Sequence, residues 1–154
     1  MKTAILNKRP ILTPAECNLY PDEQGCDLVE DFVVVDTLGK AHTIPAGFWF
    51  NGGSIPAAFW QATFTPFDMR VIDFFLFHDW AYTSHCCDKR TADDTLQAGI
   101  RSRGLTLRGA VVTTAVRLFG ESSWKHTNID ALYLRRLNLQ IQLSGRDPAI
   151  YMLT

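Results

Sequence analysis

No stretch of this 154-residue sequence approaches the ~20 apolar residues that a membrane-spanning helix needs. The sequence also lacks any run of Lys or Arg, and its formal net charge is -1. Without excess positive charge, the chain has little attraction for a nucleic-acid backbone or an anionic membrane. Its first ten residues have no apolar core typical of a signal peptide. We therefore predict cytoplasmic synthesis, no transmembrane segment and no nucleic-acid partner.

Internal repeats, low-complexity tracts and linker-like segments are also missing. The length of the chain matches the usual size of one domain. Its 47% hydrophobic and 20% charged residues are typical of a protein that forms its own core. These features predict a single domain over residues 1–154.

The cysteines lack the CxxC spacing of a structural zinc site, and no HxxxH spacing occurs. Cys86 and Cys87 beside His85 are the one cluster that suggests zinc, and the separated second pair of ligands is missing. A chain of this size buries enough core without disulfides. We therefore predict free thiols, rather than a disulfide framework, for the four cysteines: Cys17, Cys26, Cys86 and Cys87.

The first third of the chain has the composition of β-structure. The β-branched run Phe32–Val35 is followed by a turn at Leu38–Lys40, and Ala41–Ile44 can return as the partner strand. From Pro45 to Pro56 the sequence PAGFWFNGGSIP combines paired glycines with aromatic residues and prolines. This composition predicts an N-terminal β-hairpin followed by a shaped Gly-rich loop.

The middle of the chain is predicted to be helical. The first helix starts with Thr65 as the cap, Pro66 in the first turn and Asp68 as a capping-box acid, and it runs to about Ser84. Because it is apolar around most of its circumference, we expect it to be the buried central helix. Further helices are predicted from Thr91, over 107–119 with Gly120 at the end, and over 128–136.

The last part of the chain changes its hydrophobic period. Leu137, Leu139, Ile141 and Leu143 alternate with polar residues, which predicts a C-terminal strand. The expected fold is therefore α+β, with the hairpin and the Gly-rich loop packed on a core of three to four helices.

His78 is the first candidate for chemistry. It shares a face of the central helix with Phe74, Phe75 and Tyr82, whereas Asp79 points about 100° away. Because its surroundings are apolar, the imidazole should stay neutral and needs a partner for its ring N–H. A carboxylate partner would also make it a useful base. A buried polar cluster without a catalytic role explains the same residues.

Asp93 is the candidate partner of His78. Leu96 and Ile100 place it on the apolar face of its helix, whereas Asp94 aligns with Arg101 and fits a cap or a surface ion pair. Helix capping explains Asp93 equally well.

The Gly-rich loop is a candidate metal site. Phe50, Asn51, Gly52 and Gly53 can present several carbonyl oxygens to a cation such as calcium, and Asp79 can supply the charge. An ordinary tight turn accounts for the same residues.

Several motifs, taken in order, resemble the domain of unknown function 1353 family of tailed-phage and prophage proteins. They are HTIPAGF at 42–48, NGGSIP at 51–56, HDWAY at 78–82 and Ala92-Asp93. The resemblance spans about residues 27–124 and implies a phage origin without an established activity. Asn51 stands where the family usually has Asp, and Ala57 where a basic residue is common. Residues 137–154 lie outside the resemblance and form a C-terminal extension.

The HDxxY pattern with a later Asp is also similar to phospholipase A2 enzymes. That similarity implies that His78 activates water, Asp93 orients the imidazole and Tyr82 supports the network. It further implies that Asp79 and the carbonyls of residues 50–53 hold calcium. The secreted enzymes, however, place Cys before and within this motif, whereas Cys86 and Cys87 follow it here.

Three functions are compatible with these features. The first is a calcium-assisted hydrolase of phospholipid or a related ester. The second is a non-catalytic virion or tail-assembly protein whose C-terminal segment binds phage structural proteins or another copy of the chain. The third is an inhibitor of a host factor. The phage resemblance implies synthesis in the host cytoplasm, and the second function implies incorporation into the virion.

Overall fold

A computed structural model describes residues 9–17, 20–50, 68–125 and 128–151, without the side chains of residues 14–17, 20–24 and 128–133. Within these ranges the strands are β1 (Leu12–Cys17), β2 (Tyr20–Leu28), β3 (Phe32–Val35), β4 (Ala41–Ile44) and β5 (Trp49–Phe50). The α-helices are α1 (Ile72–Ser84), α2 (Lys89–Ser102), α3 (Thr106–Lys125) and α4 (Asn128–Leu143), followed by a short 3₁₀ helix, Pro148–Ile150. The predicted α+β class is confirmed. None of the described helices has the length and apolarity to cross a membrane.

The predicted hairpin is present as β3 and β4, which pair antiparallel with Phe32 opposite Ile44. Asp36 fixes the turn, since its Oδ1 accepts hydrogen bonds from the backbone N–H groups of Leu38 and Lys40, each at 2.9 Å. Gly39 adopts a φ of 84°, a conformation that glycine tolerates best. A second sheet, in the order β1-β2-β5, is also antiparallel.

Helix α1 is the buried central helix, and it packs against α2, α3, α4 and β3. It begins at Ile72, later than predicted. Thr65 and Pro66 lie outside the described residues, and Asp68 precedes the helix instead of lying in its first turn. The reason is local: the Asp68 carboxylate accepts hydrogen bonds from the backbone N–H of Arg70, at 3.0 Å, and from its guanidinium group. These contacts hold a turn ahead of the helix.

The ends of α2 and α3 also differ from the prediction. Asp88 caps α2, because its carboxylate accepts hydrogen bonds from the Thr91 backbone N–H at 2.9 Å and from the Thr91 hydroxyl at 2.8 Å. Helix α3 continues through Gly120 to Lys125. The prediction that Gly120 ends this helix is therefore wrong.

The predicted C-terminal strand is wrong, because residues 137–143 continue α4. Leu137 and Ile141 are both buried and lie four residues apart, on one helical face, whereas Leu139 and Leu143 are exposed. Despite their alternation of apolar and polar side chains, residues 137–143 therefore do not form a strand with one buried face. For the same reason, the C-terminal segment cannot add to a partner's sheet in the predicted manner.

The segment after α4 packs on the protein itself. Tyr151 is 4% exposed, and its hydroxyl donates a hydrogen bond to Asp31 Oδ2 at 2.9 Å. Arg146 Nη1 donates to Asp31 Oδ1 at 2.7 Å and to the Tyr151 hydroxyl oxygen at 2.8 Å. Tyr151 is thus buried against the protein itself, rather than exposed for the predicted insertion into a partner's groove, and Leu153 lies outside the described residues.

Candidate functional site

The candidate site lies where α1 meets α2. Helix α1 carries His78, Asp79 and Tyr82, and α2 carries Asp93. The connection between the two helices is only four residues long, and His85 begins it in a left-handed conformation with a φ of 52°. This tight corner allows α2 to pack directly against α1.

His78 and Asp93 form the predicted hydrogen bond, with 2.9 Å between Nε2 and Oδ1. Burial lowers the pKa of His78 below its ordinary value of 6.5, because it outweighs the opposite effect of the Asp93 carboxylate. The neutral ring therefore donates its Nε2–H to Asp93 and leaves the Nδ1 lone pair available. Within the described part of the chain no group bonds to Nδ1, and the His78 side chain is 11% exposed.

Tyr82 contacts both members of this pair. Its hydroxyl donates to Asp93 Oδ1 at 2.8 Å, and its ring lies against the His78 ring with 4.2 Å between centroids. Burial and the Asp93 carboxylate raise the pKa of Tyr82, so the hydroxyl keeps its proton. Helix α3 backs the ring through Trp124, which meets it edge-on at 5.0 Å, and through Gly120.

Lys89 is a member of the site that sequence reasoning missed. Its Nζ donates to Asp93 Oδ2 at 2.7 Å, and the Lys89 side chain is largely buried. Burial alone would raise the pKa of Asp93, but the hydrogen bonds from His78, Lys89 and Tyr82 lower it. Asp93 is therefore an ionised carboxylate. The four-residue spacing between Lys89 and Asp93 was the available signal.

Capping does not explain Asp93, because Asp88 caps α2. Asp94 lies outside the cluster and faces the surface, where it contacts Arg117 at 2.6 Å and Arg90 at 3.7 Å. This agrees with its interpretation as a surface ion-pair residue, although with different partners from the predicted Arg101.

The predicted calcium ligands are only partly described. Asp79 is half-buried on α1, and Phe50 is fully buried in β5, while Asn51, Gly52 and Gly53 lie outside the described residues. Asp79 is the sole carboxylate of the predicted set. Among the described residues, no group of three or more His, Cys, Asp or Glu side chains is arranged to hold a metal ion. The described residues thus do not complete a calcium site.

Comparison with known proteins identifies the family of this chain. The family model described as "Protein of unknown function (DUF1353)" matches residues 26–116, more than half of the chain. This confirms the resemblance of the ordered motifs to the domain of unknown function 1353 family. No curated protein and no solved structure matches the chain.

Proposed function

This chain belongs to the DUF1353 family, and we propose that it is a phage-encoded ester hydrolase of phospholipase A2 type. One observation carries the proposal: the Nε2 of His78 and the hydroxyl of Tyr82 both bind Oδ1 of the ionised Asp93. An imidazole that is held by a carboxylate in one tautomer is the arrangement of a general base. The phage assignment rests on the family resemblance alone.

The proposed reaction starts with a water molecule that donates a hydrogen bond to Nδ1 of His78. As the water oxygen attacks the ester carbonyl, its proton passes to Nδ1, and Asp93 stabilises the resulting imidazolium. His78 then returns this proton to the leaving alkoxide when the acyl–oxygen bond breaks. The products are a carboxylic acid and an alcohol. A positioned base of this kind contributes about 10²–10⁴-fold to the rate.

Tyr82 and Lys89 are positioning residues in this proposal. Tyr82 limits rotation of the Asp93 carboxylate by binding the same oxygen as His78, and its ring also contacts the imidazole. Lys89 keeps Asp93 ionised at the other oxygen, so the carboxylate orients His78 without taking its proton.

The substrate we propose is a phospholipid or a related acyl ester, by similarity to the HDxxY enzymes. Calcium is part of that similarity, although the described residues do not complete a site for it. A direct test is to incubate the purified protein with phospholipid vesicles, with calcium or with a chelator, and to measure fatty-acid release. Release that requires calcium supports the full proposal, and release without it supports the His78 mechanism alone. No release from any phospholipid or short-chain ester contradicts the proposal.

A second candidate function is a non-catalytic virion or tail-assembly component. It is favoured by the burial of His78 and by the hydrogen bonds of His78 and Tyr82 to Asp93, which connect α1 to α2 as a structural brace would. Under this alternative, substitution of His78 lowers stability and impairs incorporation into the particle, while the purified protein hydrolyses no ester.

A further inference from the structure

Two arginines converge on one carboxylate at the N-terminal end of α1. Asp73, in the first turn of this helix, is buried. Arg103, directly after α2, binds it with both terminal nitrogens, at 3.1 Å between Nη1 and Oδ1 and 2.6 Å between Nη2 and Oδ2. Arg9 reaches the same Oδ1 at 3.5 Å, and both guanidinium groups also donate to the carbonyl oxygen of Arg70. Two positive charges are therefore held together, and Asp73 compensates only one of them.

Two further arginines extend this positive charge. Arg70 lies in the turn before α1 and pairs with Asp68 at 2.7 Å. Its hydrogen bonds lower the pKa of Asp68, and the charge of Arg108 in the first turn of α3 adds to this effect. We name four side chains the arginine cluster: Arg9, Arg70, Arg103 and Arg108. These four positive charges and the two negative charges of Asp68 and Asp73 give a formal charge of +2.

Exposed apolar side chains accompany the arginine cluster. Met69, directly before Arg70, is 54% exposed, and Leu107, directly before Arg108, is 80% exposed. Arg103 contacts the Arg70 carbonyl, and only two residues separate it from α3, so the start of α3 lies near the turn that carries Met69. Because Arg70 and Arg108 are exposed as well, cations and apolar groups face the solvent at the same end of the molecule.

The formal net charge of -1 conceals the arginine cluster, because the acids are concentrated elsewhere. Residues 16–36 contain seven Asp and Glu and no Lys or Arg. The segments that flank Arg9 and Asp68 in the sequence, 1–8 and 51–67, contain no Asp or Glu. The local distribution of charge, rather than the net charge, decides which surface an anionic partner meets.

We propose that the arginine cluster, with Met69 and Leu107, docks the protein on an anionic phospholipid surface. The guanidinium groups bind the lipid phosphates, and the two apolar side chains enter the boundary between headgroups and acyl chains. The exposed apolar side chains favour a lipid surface over a nucleic acid, whose phosphate backbone offers no apolar layer to receive them. This docking goes beyond the proposed hydrolysis and does not depend on it.

Sedimentation with vesicles tests the docking on the purified full chain. One set of vesicles contains phosphatidylglycerol mixed with phosphatidylcholine, and the other contains phosphatidylcholine alone. We expect binding to the anionic vesicles at low salt, with a steep decrease at high salt, and little binding to the neutral vesicles. His78→Ala should bind as wild type does, whereas fatty-acid release reports hydrolysis, so the two proposals fail separately.

Substitutions within and outside the arginine cluster locate the docking surface. Arg70→Gln should lower the partition coefficient about fivefold, because one cation near an anionic bilayer contributes about that factor. Arg90→Gln is the matched control, since Arg90 is 89% exposed at the opposite end of α2 and its loss changes the net charge equally. Leu107→Ser should lower binding about tenfold. Leu118→Ser is its control, because Leu118 is exposed three turns further along α3.

The docking is overturned if the wild-type protein does not bind anionic vesicles at low salt, or binds neutral vesicles equally well. Equal losses in Arg70→Gln and Arg90→Gln also overturn it, because the surface would then lie outside the arginine cluster. A fluorescent DNA oligonucleotide at the same low salt is the third arm. Binding to the oligonucleotide without binding to vesicles would identify a nucleic acid as the partner and overturn the proposal.

Discussion

Gly120 on α3 and Tyr82 on α1 lie so close that a Cβ at position 120 would be 2.7 Å from the Tyr82 hydroxyl oxygen. The hydroxyl that orients Asp93 thus reaches its position because α3 has no side chain at this point. In an open helix, Gly→Ala stabilises by about 1 kcal/mol. Here we expect Gly120→Ala to destabilise the protein by about 1–3 kcal/mol, because it displaces Tyr82.

Urea denaturation measures this effect, with Ser123→Ala as the control at an exposed position of the same helix. The control should change stability by less than about 0.5 kcal/mol. If Gly120→Ala is as stable as wild type, that result contradicts the close packing of Tyr82 against Gly120 of α3.

Lys89→Met tests the ionisation of Asp93. Loss of the cation raises the folded-state pKa of Asp93, so the stabilisation from its lowered pKa shrinks. A lowered carboxylate pKa stabilises above the unfolded-state value, near 4, and this stabilisation is lost as the pH falls through the folded-state pKa. We expect Lys89→Met to lower the free energy of unfolding by about 1.5–3 kcal/mol at pH 7, and the difference from wild type to become smaller at acid pH.

Arg90→Met is the matched control for Lys89, because Arg90 is 89% exposed and lies 3.7 Å from Asp94. It should leave stability nearly unchanged at both pH values. An equal effect of the two substitutions would mean that Lys89 does not act through Asp93.

The pH dependence of hydrolysis reports the protonation of His78. Burial lowers its pKa, so the neutral base should predominate at pH 7. We expect kcat/KM to rise with pH to a plateau, with a midpoint below 6.5. The same shift stabilises the fold above pH 6.5, and that contribution is lost as the pH falls through the folded-state pKa. A midpoint at or above 6.5 would contradict this account of His78.

Much of the fold could be predicted from local patterns. The β-branched run at Phe32–Val35 and the turn before Ala41 gave the hairpin, because both signals lie within a few adjacent residues. The prediction of a strand at residues 137–143 is wrong because their alternation of apolar and polar side chains fits a strand as well as a helix. Leu137 and Ile141 are also four residues apart, and only packing against the core decides which period is used.

Part of the candidate site could be predicted as well. The grouping of His78, Tyr82 and Asp93 could be predicted from helical spacing and because a buried imidazole needs a partner. The role of Gly120 could not be predicted, because it depends on how α3 crosses α1.

Docking of the C-terminal segment predicts a stability effect rather than an assembly effect. Tyr151→Ala removes a buried ring and two hydrogen bonds, for an expected loss of about 3 kcal/mol. For a chain of this length, each kcal/mol lowers Tm by about 2–4 °C. Ile150→Ala is the control, since Ile150 is 66% exposed. An unchanged Tm together with a smaller particle in light scattering would instead show that Tyr151 serves an interface.

The general-base role of His78 is tested most directly by ester hydrolysis in His78→Ala and Asp94→Ala, compared with wild type. Asp94 neighbours Asp93 in sequence, but its ion pairs among the described residues are with the surface arginines Arg90 and Arg117, so it controls for a loss of charge on α2. After circular dichroism has verified that both variants are folded, initial rates are measured on phospholipid vesicles. We expect His78→Ala to lose about 10²–10⁴-fold in kcat, and Asp94→Ala to match wild type. Equal hydrolysis by wild type and His78→Ala would contradict the catalytic role of His78.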